Sequence, residues 1–138
     1  MTTNLLQIAD KKFQNNIHDL HKDNGGIYKI IAVRNGQRVP INRFLGTDNE
    51  GVLYIGKATS YVKRVIDLKK SIAPVSEYKG KAHICGRRYK KTTKIAEQFP
   101  YDQLFVDLIP MDKPEEKEKE LIRTYFETYG EVPPLNAI

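Results

Sequence analysis

Tyr54, Lys57 and Arg64 lie within one short stretch, and the chemistry they share is the binding of an anion. A phenol and two cations that converge on one point make a seat for a phosphate, whose oxygens take charge-assisted hydrogen bonds from guanidinium and ammonium groups. A further candidate, Glu118, stands just before an apolar stripe of Leu121, Ile122, Tyr125, Phe126 and Tyr129. Stepping back by i−3 and i−4 from Leu121 and Ile122 puts its carboxylate on the inward face, while Glu115, Glu116 and Lys119 reach water. A partly buried carboxylate needs a cation, and an arginine at the margin of the stripe would also serve. Two other chemistry-bearing types read as bland. His18 and His21 have no cysteine or carboxylate set around them and suit a surface. Cys85 lacks a base with an orienting partner and suits a small apolar filler.

The elements that must position these groups follow from pattern. Val52 to Ile55 is β-branched and apolar enough for a strand that stops at Gly56 with Lys57 in a turn, and a helix from about Ser60 to Lys70 carries Arg64 one turn in and buries Tyr61, Val65 and Leu68. Ile27 to Val33 is a second apolar strand, opened by Tyr28 and followed by the hairpin dipeptide Asn35-Gly36. If the two strands are antiparallel neighbours, the start of one lies beside the end of the other, and Tyr28 and Tyr54 share a sheet edge. Gln37 to Ile41 pairs back across the turn, with Pro40 restricting it to an edge, before a polar loop from Gly46 to Gly51. Leu5, Leu6, Phe13, Ile17 and Leu20 predict a first helix ended by Asn24-Gly25-Gly26. Leu104 to Ile109 predicts a third strand closed by Pro110, and a last helix opens around Asp112 to Pro114 and runs to Gly130.

At 138 residues and 40% hydrophobic content the expectation is one domain over residues 1–138, with 1–24 as an N-terminal helical extension. The formal charge of +6 favours a polyanionic partner. Much of that charge lies between Tyr78 and Lys94, in Lys79, Lys81, Arg87, Arg88, Lys90, Lys91 and Lys94, with His83 and Tyr89 among them. The run suits a solvated helix face and equally a phosphate-contacting surface, whose binding would be salt-dependent. The lone cysteine excludes an internal disulfide. The opening residues carry no basic or apolar export signal, and no segment approaches the roughly 20 apolar residues of a membrane span, so the expected location is the cytoplasm, or a host cytoplasm if the chain is viral.

Taken together, Gly26-Ile27-Tyr28, Tyr54-Ile55-Gly56, Arg64, the Glu-x-x-Leu-Ile run from Glu118 to Ile122 and the Pro-Pro-Leu-Asn run from Pro133 to Asn136 resemble the GIY-YIG nuclease superfamily, over most of the chain. The resemblance implies an α+β fold, a small three-stranded antiparallel sheet flanked by helices. It implies an Mg²⁺- or Mn²⁺-dependent endonuclease acting on nucleic acid, DNA foremost. Tyr28 and Tyr54 would then be the cleavage-centre tyrosines, Arg64 the phosphate clamp, Glu118 the metal ligand and Asn136 a supporting polar group at the substrate. Lys57, Lys63, Arg87, Arg88, Lys90 and Lys91 would hold the nucleic-acid backbone. Two departures stand out. The long separation of Tyr28 and Tyr54 implies an inserted hairpin around Asn35-Gly36, looped out of the sheet. Leu68 stands where some members carry a histidine, which leaves His83 or Tyr28 for proton transfer.

The mechanism this implies has Tyr28, its phenolate favoured by Lys57 and Arg64, accept a proton from the attacking water while Tyr54 hydrogen-bonds the water or phosphate. Arg64 neutralises the pentacovalent phosphorus, and Glu118 holds the metal at the leaving oxygen. A homodimer is compatible with double-strand cleavage. The competing expectation is a catalytically silent nucleic-acid-binding or regulatory module of the same fold.

Overall fold

A computed structural model describes residues 5–74 and 84–136. The chain is α+β, built on an antiparallel sheet with helices on both faces. The centre of the sheet is β2 (Gly26–Arg34), whose near-continuous apolar run is buried almost throughout because both of its faces are covered. Along one edge it pairs with β7 (Leu104–Pro110), from Gly26↔Pro110 to Ala32↔Leu104. Along the other it pairs with β6 (Val52–Ala58), from Gly26↔Ala58 to Ile31↔Val52, with a register shift at Ile30/Ile31. The three antiparallel strands expected are present with the longest apolar strand in the middle, but the sheet has five strands rather than three, since two short strands add to its edges.

The Asn35-Gly36 dipeptide makes a tight turn with both φ angles positive, 54° and 76°, the hand that matches strand twist. The short β3 (Gln37–Arg38) returns against the end of β2. This hairpin is not looped out of the sheet as the sequence implies. The part that stands away from it is a second hairpin, β4 (Ile41–Arg43) with β5 (Gly46–Asp48), the latter where a polar loop from Gly46 to Gly51 was expected. Its polar residues pair edge to edge because backbone groups bond regardless of side-chain polarity, and because its base is fixed through Asp48.

A second difference lies at the start of the chain. Leu6 and Gln7 are not helical but form β1 (Leu6–Gln7), paired to the outer edge of β7 through Leu6↔Val106 and Gln7↔Phe105. That edge has unpaired backbone groups, and pairing them outweighs the helical spacing of two leucines. The first helix, α1 (Phe13–His21), starts only at Phe13.

On one face, α2 (Tyr61–Ile72) lies beside both α1 and α3 (Ile84–Tyr89), and their Phe13, Ile17, Tyr61, Val65, Leu68, Cys85 and Tyr89 pack with Tyr28, Ile30 and Ala32 of β2. On the other, α5 (Glu115–Tyr129) lays Leu121, Ile122, Tyr125 and Tyr129 over Ile27, Ile31, Val33, Val52 and Ile55. Phe126, expected in that stripe, is 49% exposed. The short α4 (Thr93–Gln98) is capped by the Thr92 hydroxyl, which accepts from the Lys94 N–H, and leads through a turn at Tyr101–Gln103 into β7. No helix among the described residues is long and apolar enough to cross a membrane.

Candidate active site

Tyr28 and Tyr54 lie on the same face of two neighbouring strands, offset by two positions of the register. Tyr28 stands opposite Gly56 and Tyr54 opposite Ile30, so the rings meet diagonally with centroids 5.8 Å apart and planes at 36°. The strand does not stop at Gly56 but runs on to Ala58. Glycine is required there for a different reason than a turn. A Cβ on Gly56 would sit 2.6 Å from Tyr28 Cζ, 2.7 Å from its hydroxyl and 2.7 Å from Tyr54 Cε2. The Tyr28 ring occupies the space a side chain would fill. Gly56→Ala is accordingly expected to cost about 1–3 kcal/mol of stability by overpacking and to drive the phenols apart. Urea unfolding and the near-ultraviolet tyrosine signal measure both.

Arg64 reaches this pair from the second turn of α2, anchored by the burial of Tyr61, Val65 and Leu68. Its guanidinium lies against both hydroxyls, and its charge and N–H donors act on each of them. Glu118, half-buried on the first turn of α5 where its neighbours on either side are exposed, comes near enough for its charge to act on Tyr54. Tyr28, Tyr54 and Arg64, from β2, β6 and α2, are thus brought together near the edge of β6, and Glu118 of α5 lies close enough for its charge to reach Tyr54.

Burial dominates the phenols. Tyr28 is 0% exposed, its hydroxyl buried without a hydrogen bond of good geometry, and desolvation followed by the adjacent Tyr54 pushes its pKa far up despite Arg64. Tyr54 is half-buried and also shifted upward, by burial first and by the charges of Cys85 and Glu118, against the pull of Arg64. Both are neutral phenols at neutral pH. The expectation that Lys57 and Arg64 hold Tyr28 near its phenolate is corrected by this: desolvation outweighs the guanidinium, and strand alternation points Lys57 to the α5 side with Ile55. The sign for stability follows. The folded state keeps these protons where the unfolded chain loses them, so their contribution is full below the unfolded pKa of about 10 and falls as pH rises beyond it. The urea midpoint is expected to drop steeply above pH about 10, and Tyr28→Phe to flatten that drop.

Cys85 packs behind the same cluster, and burial pushes its thiol up to about 12 against the pull of Arg64 and Arg88. It is an inert filler, as its sequence context predicts.

In front of Arg64 lies a groove of about 420 Å³, lined by Lys57, Ser60, Lys63, Arg64, Asp67 and Glu115 among others. Lys57 and Lys63 therefore do join Arg64. Arg87, Lys90 and Lys91 are exposed on and just after α3. Arg88 is half-buried, donates to the Pro134 carbonyl at 3.4 Å and lines a different groove. His83, with Lys79 and Lys81, lies outside the described residues.

Asn136, expected as a supporting polar group, has both ends of its side-chain amide bonded to the backbone of Ile55. Its Oδ1 accepts from the Ile55 N–H at 2.9 Å and its Nδ2 donates to the Ile55 carbonyl at 2.9 Å, while Leu135 N–H donates to the Leu53 carbonyl at 2.8 Å. The segment acts as a partial extra strand that seals the edge of β6 and holds Tyr54 in place. Asp48 was missed by the sequence reading. It is 1% exposed and accepts from the N–H groups of Glu50 and Val52 and from the Tyr125 hydroxyl, tying the β4–β5 hairpin to α5. An Asp two residues before a hairpin-ending Glu-Gly pair is the signal that could have revealed it, because its carboxylate bonds the backbone two residues on.

Among the described residues no cluster of three or more His, Cys, Asp or Glu side chains could cage a metal. Mg²⁺ is a hard ion held by one or two carboxylates with water and substrate oxygens, and the Glu118 carboxylate, within electrostatic reach of Tyr54, is of the kind that would hold it. Compared with known protein families, with curated proteins and with solved structures, the chain matches none.

Proposed function

We propose that the chain is a divalent-metal-dependent endonuclease of the GIY-YIG type, hydrolysing phosphodiester bonds in DNA. The observation that supports it is the meeting of Tyr28, Tyr54 and Arg64 beside a groove walled by two further lysines, with the Glu118 carboxylate within electrostatic reach of Tyr54. Core tyrosines alone need no inward carboxylate next to them, and a phosphate clamp needs one guanidinium with room in front of it.

Lys57 and Lys63 hold the backbone phosphates that flank the scissile one, and Arg64 neutralises the charge that builds on phosphorus in the transition state. Tyr54, the phenol nearer to solvent, donates a hydrogen bond to a phosphate oxygen or orients the attacking water. Tyr28 lies behind it and keeps the Tyr54 ring and the guanidinium in register, a positioning role. Glu118 would hold the Mg²⁺, which when bound lowers the pKa of water and neutralises the leaving oxygen.

The test is plasmid nicking with and without metal. Nicking in Mg²⁺ that stops with chelator and returns on Mg²⁺ addition is the expected result. Binding without nicking in either condition assigns the chain instead to the silent nucleic-acid-binding class.

A further inference from the structure

Three of the four exposed large apolar side chains among the described residues gather at one place: Phe44 (80% exposed), Leu45 (61%) and Phe126 (49%). Phe44 and Leu45 form the tip of the β4–β5 hairpin. The tip is held rigidly, with Phe44 N–H donating to Glu131 Oε2 at 2.7 Å, Leu45 N–H to the Tyr129 carbonyl at 2.9 Å, and Arg43 to the Val132 carbonyl at 2.8 Å. Beside it opens a groove of about 410 Å³ whose lining includes Arg43, Arg88, Phe126, Glu131, Val132 and Pro133. An apolar knob and a groove of mixed lining, with Phe126, Val132 and Pro133 beside Arg43, Arg88 and Glu131, thus lie next to each other on one surface.

We infer that this surface binds a second copy of the chain, each Phe44 entering the partner's groove about a two-fold axis. A two-fold contact requires one patch to be complementary to itself, and an adjacent knob and hole meet that requirement. The charges agree. Arg43 is matched by Glu131 at 3.4 Å, and Arg88 is turned to the Pro134 carbonyl. A rim carrying both signs does not repel its own copy, whereas a nucleic-acid surface calls for a field of cations only. Because the hairpin tip is already ordered, association loses little conformational entropy, and a buried aromatic in a central pocket is the kind of anchor that dominates such contacts. The inference stands whether or not the chain cleaves DNA.

Sedimentation equilibrium of the full chain tests it. The expected mass is twice 15.9 kDa at tens of micromolar. Phe44→Asp and Phe126→Asp are each expected to weaken self-association by about 30-fold or more. Phe44→Ala, which leaves an exposed position on a hairpin held by backbone bonds, gives the same direction with an unchanged circular dichroism spectrum and urea midpoint. Mixing Phe44→Asp with Phe126→Asp pairs an intact hole with an intact knob, so the mixture is expected to associate more tightly than either variant alone. A wild type that stays at monomer mass, a dimer indifferent to Phe44→Asp and Phe44→Ala, or no gain on mixing overturns the inference. So does a monomer whose nucleic-acid binding is lost with Phe44, which hands the surface to that ligand.

Discussion

Glu118→Gln is expected to lower metal-dependent strand cleavage by more than about 10³-fold, because the amide keeps the shape of the side chain but removes the charge that would hold the metal. The half-buried position of Glu118 on the first turn of α5 leaves its neighbours Lys117 and Lys119 exposed, so the substitution leaves the helix intact. Arg64→Ala provides the scale for comparison. Removing one charge-stabilising donor costs on the order of 10²–10³ in rate, and Arg64→Lys should recover only part of it, since an ammonium lacks the fork that spans both hydroxyls. The two variants differ in what else they move. Loss of the Glu118 charge lowers the Tyr54 pKa while loss of Arg64 raises it, since the carboxylate pushes that phenol up and the guanidinium pulls it down. Single-turnover nicking rates with a spectrophotometric alkaline titration read both, and a Glu118→Gln protein that nicks at the wild-type rate ends the metal assignment.

Asp48→Ala is expected to remove about 3–5 kcal/mol of stability, enough to unfold a chain of ordinary marginal stability. The carboxylate accepts from Glu50 N–H at 2.9 Å, at the margin of the core, and from Val52 N–H at 3.0 Å and Tyr125 Oη at 2.9 Å, both buried. Taking it away strands those donors at once, and each buried donor without a partner costs about 1–3 kcal/mol. Asp48→Asn, which keeps an oxygen acceptor, should recover a part. Glu131→Ala is the contrast. Its pair with Arg43 is open to solvent on the carboxylate side, at 44% exposure, and is worth about 1 kcal/mol. Urea unfolding of the three variants separates these cases, and an Asp48→Ala midpoint close to that of Glu131→Ala contradicts the account.

What the residue pattern carried, it carried through periodicity. The apolar run of β2, the stripe of Tyr61, Val65 and Leu68, and the inward placement of Glu118 all follow from repeat distances, and the structure keeps them. The diagonal meeting of Tyr28 with Tyr54 followed from antiparallel pairing alone. Where the reading failed, the deciding partner was remote. Leu6 joins a strand because β7 has a free edge nearly the whole chain away, and Asn136 turns inward because β6 has another. Gly56 looks like a turn residue until the ring lying over it is known. Tyr28 looks like a base until its depth is known, and depth is a property of the packed whole.

The bond between Ile55 and Asn136 spans 81 positions and the one between Asp48 and Tyr125 spans 77. Contacts of such high order close late, so this chain is expected to fold in the slower range of small domains, about milliseconds to seconds. Until the last of them forms, β6 is an open ladder without its seal and the arginine has no ordered phenols to face.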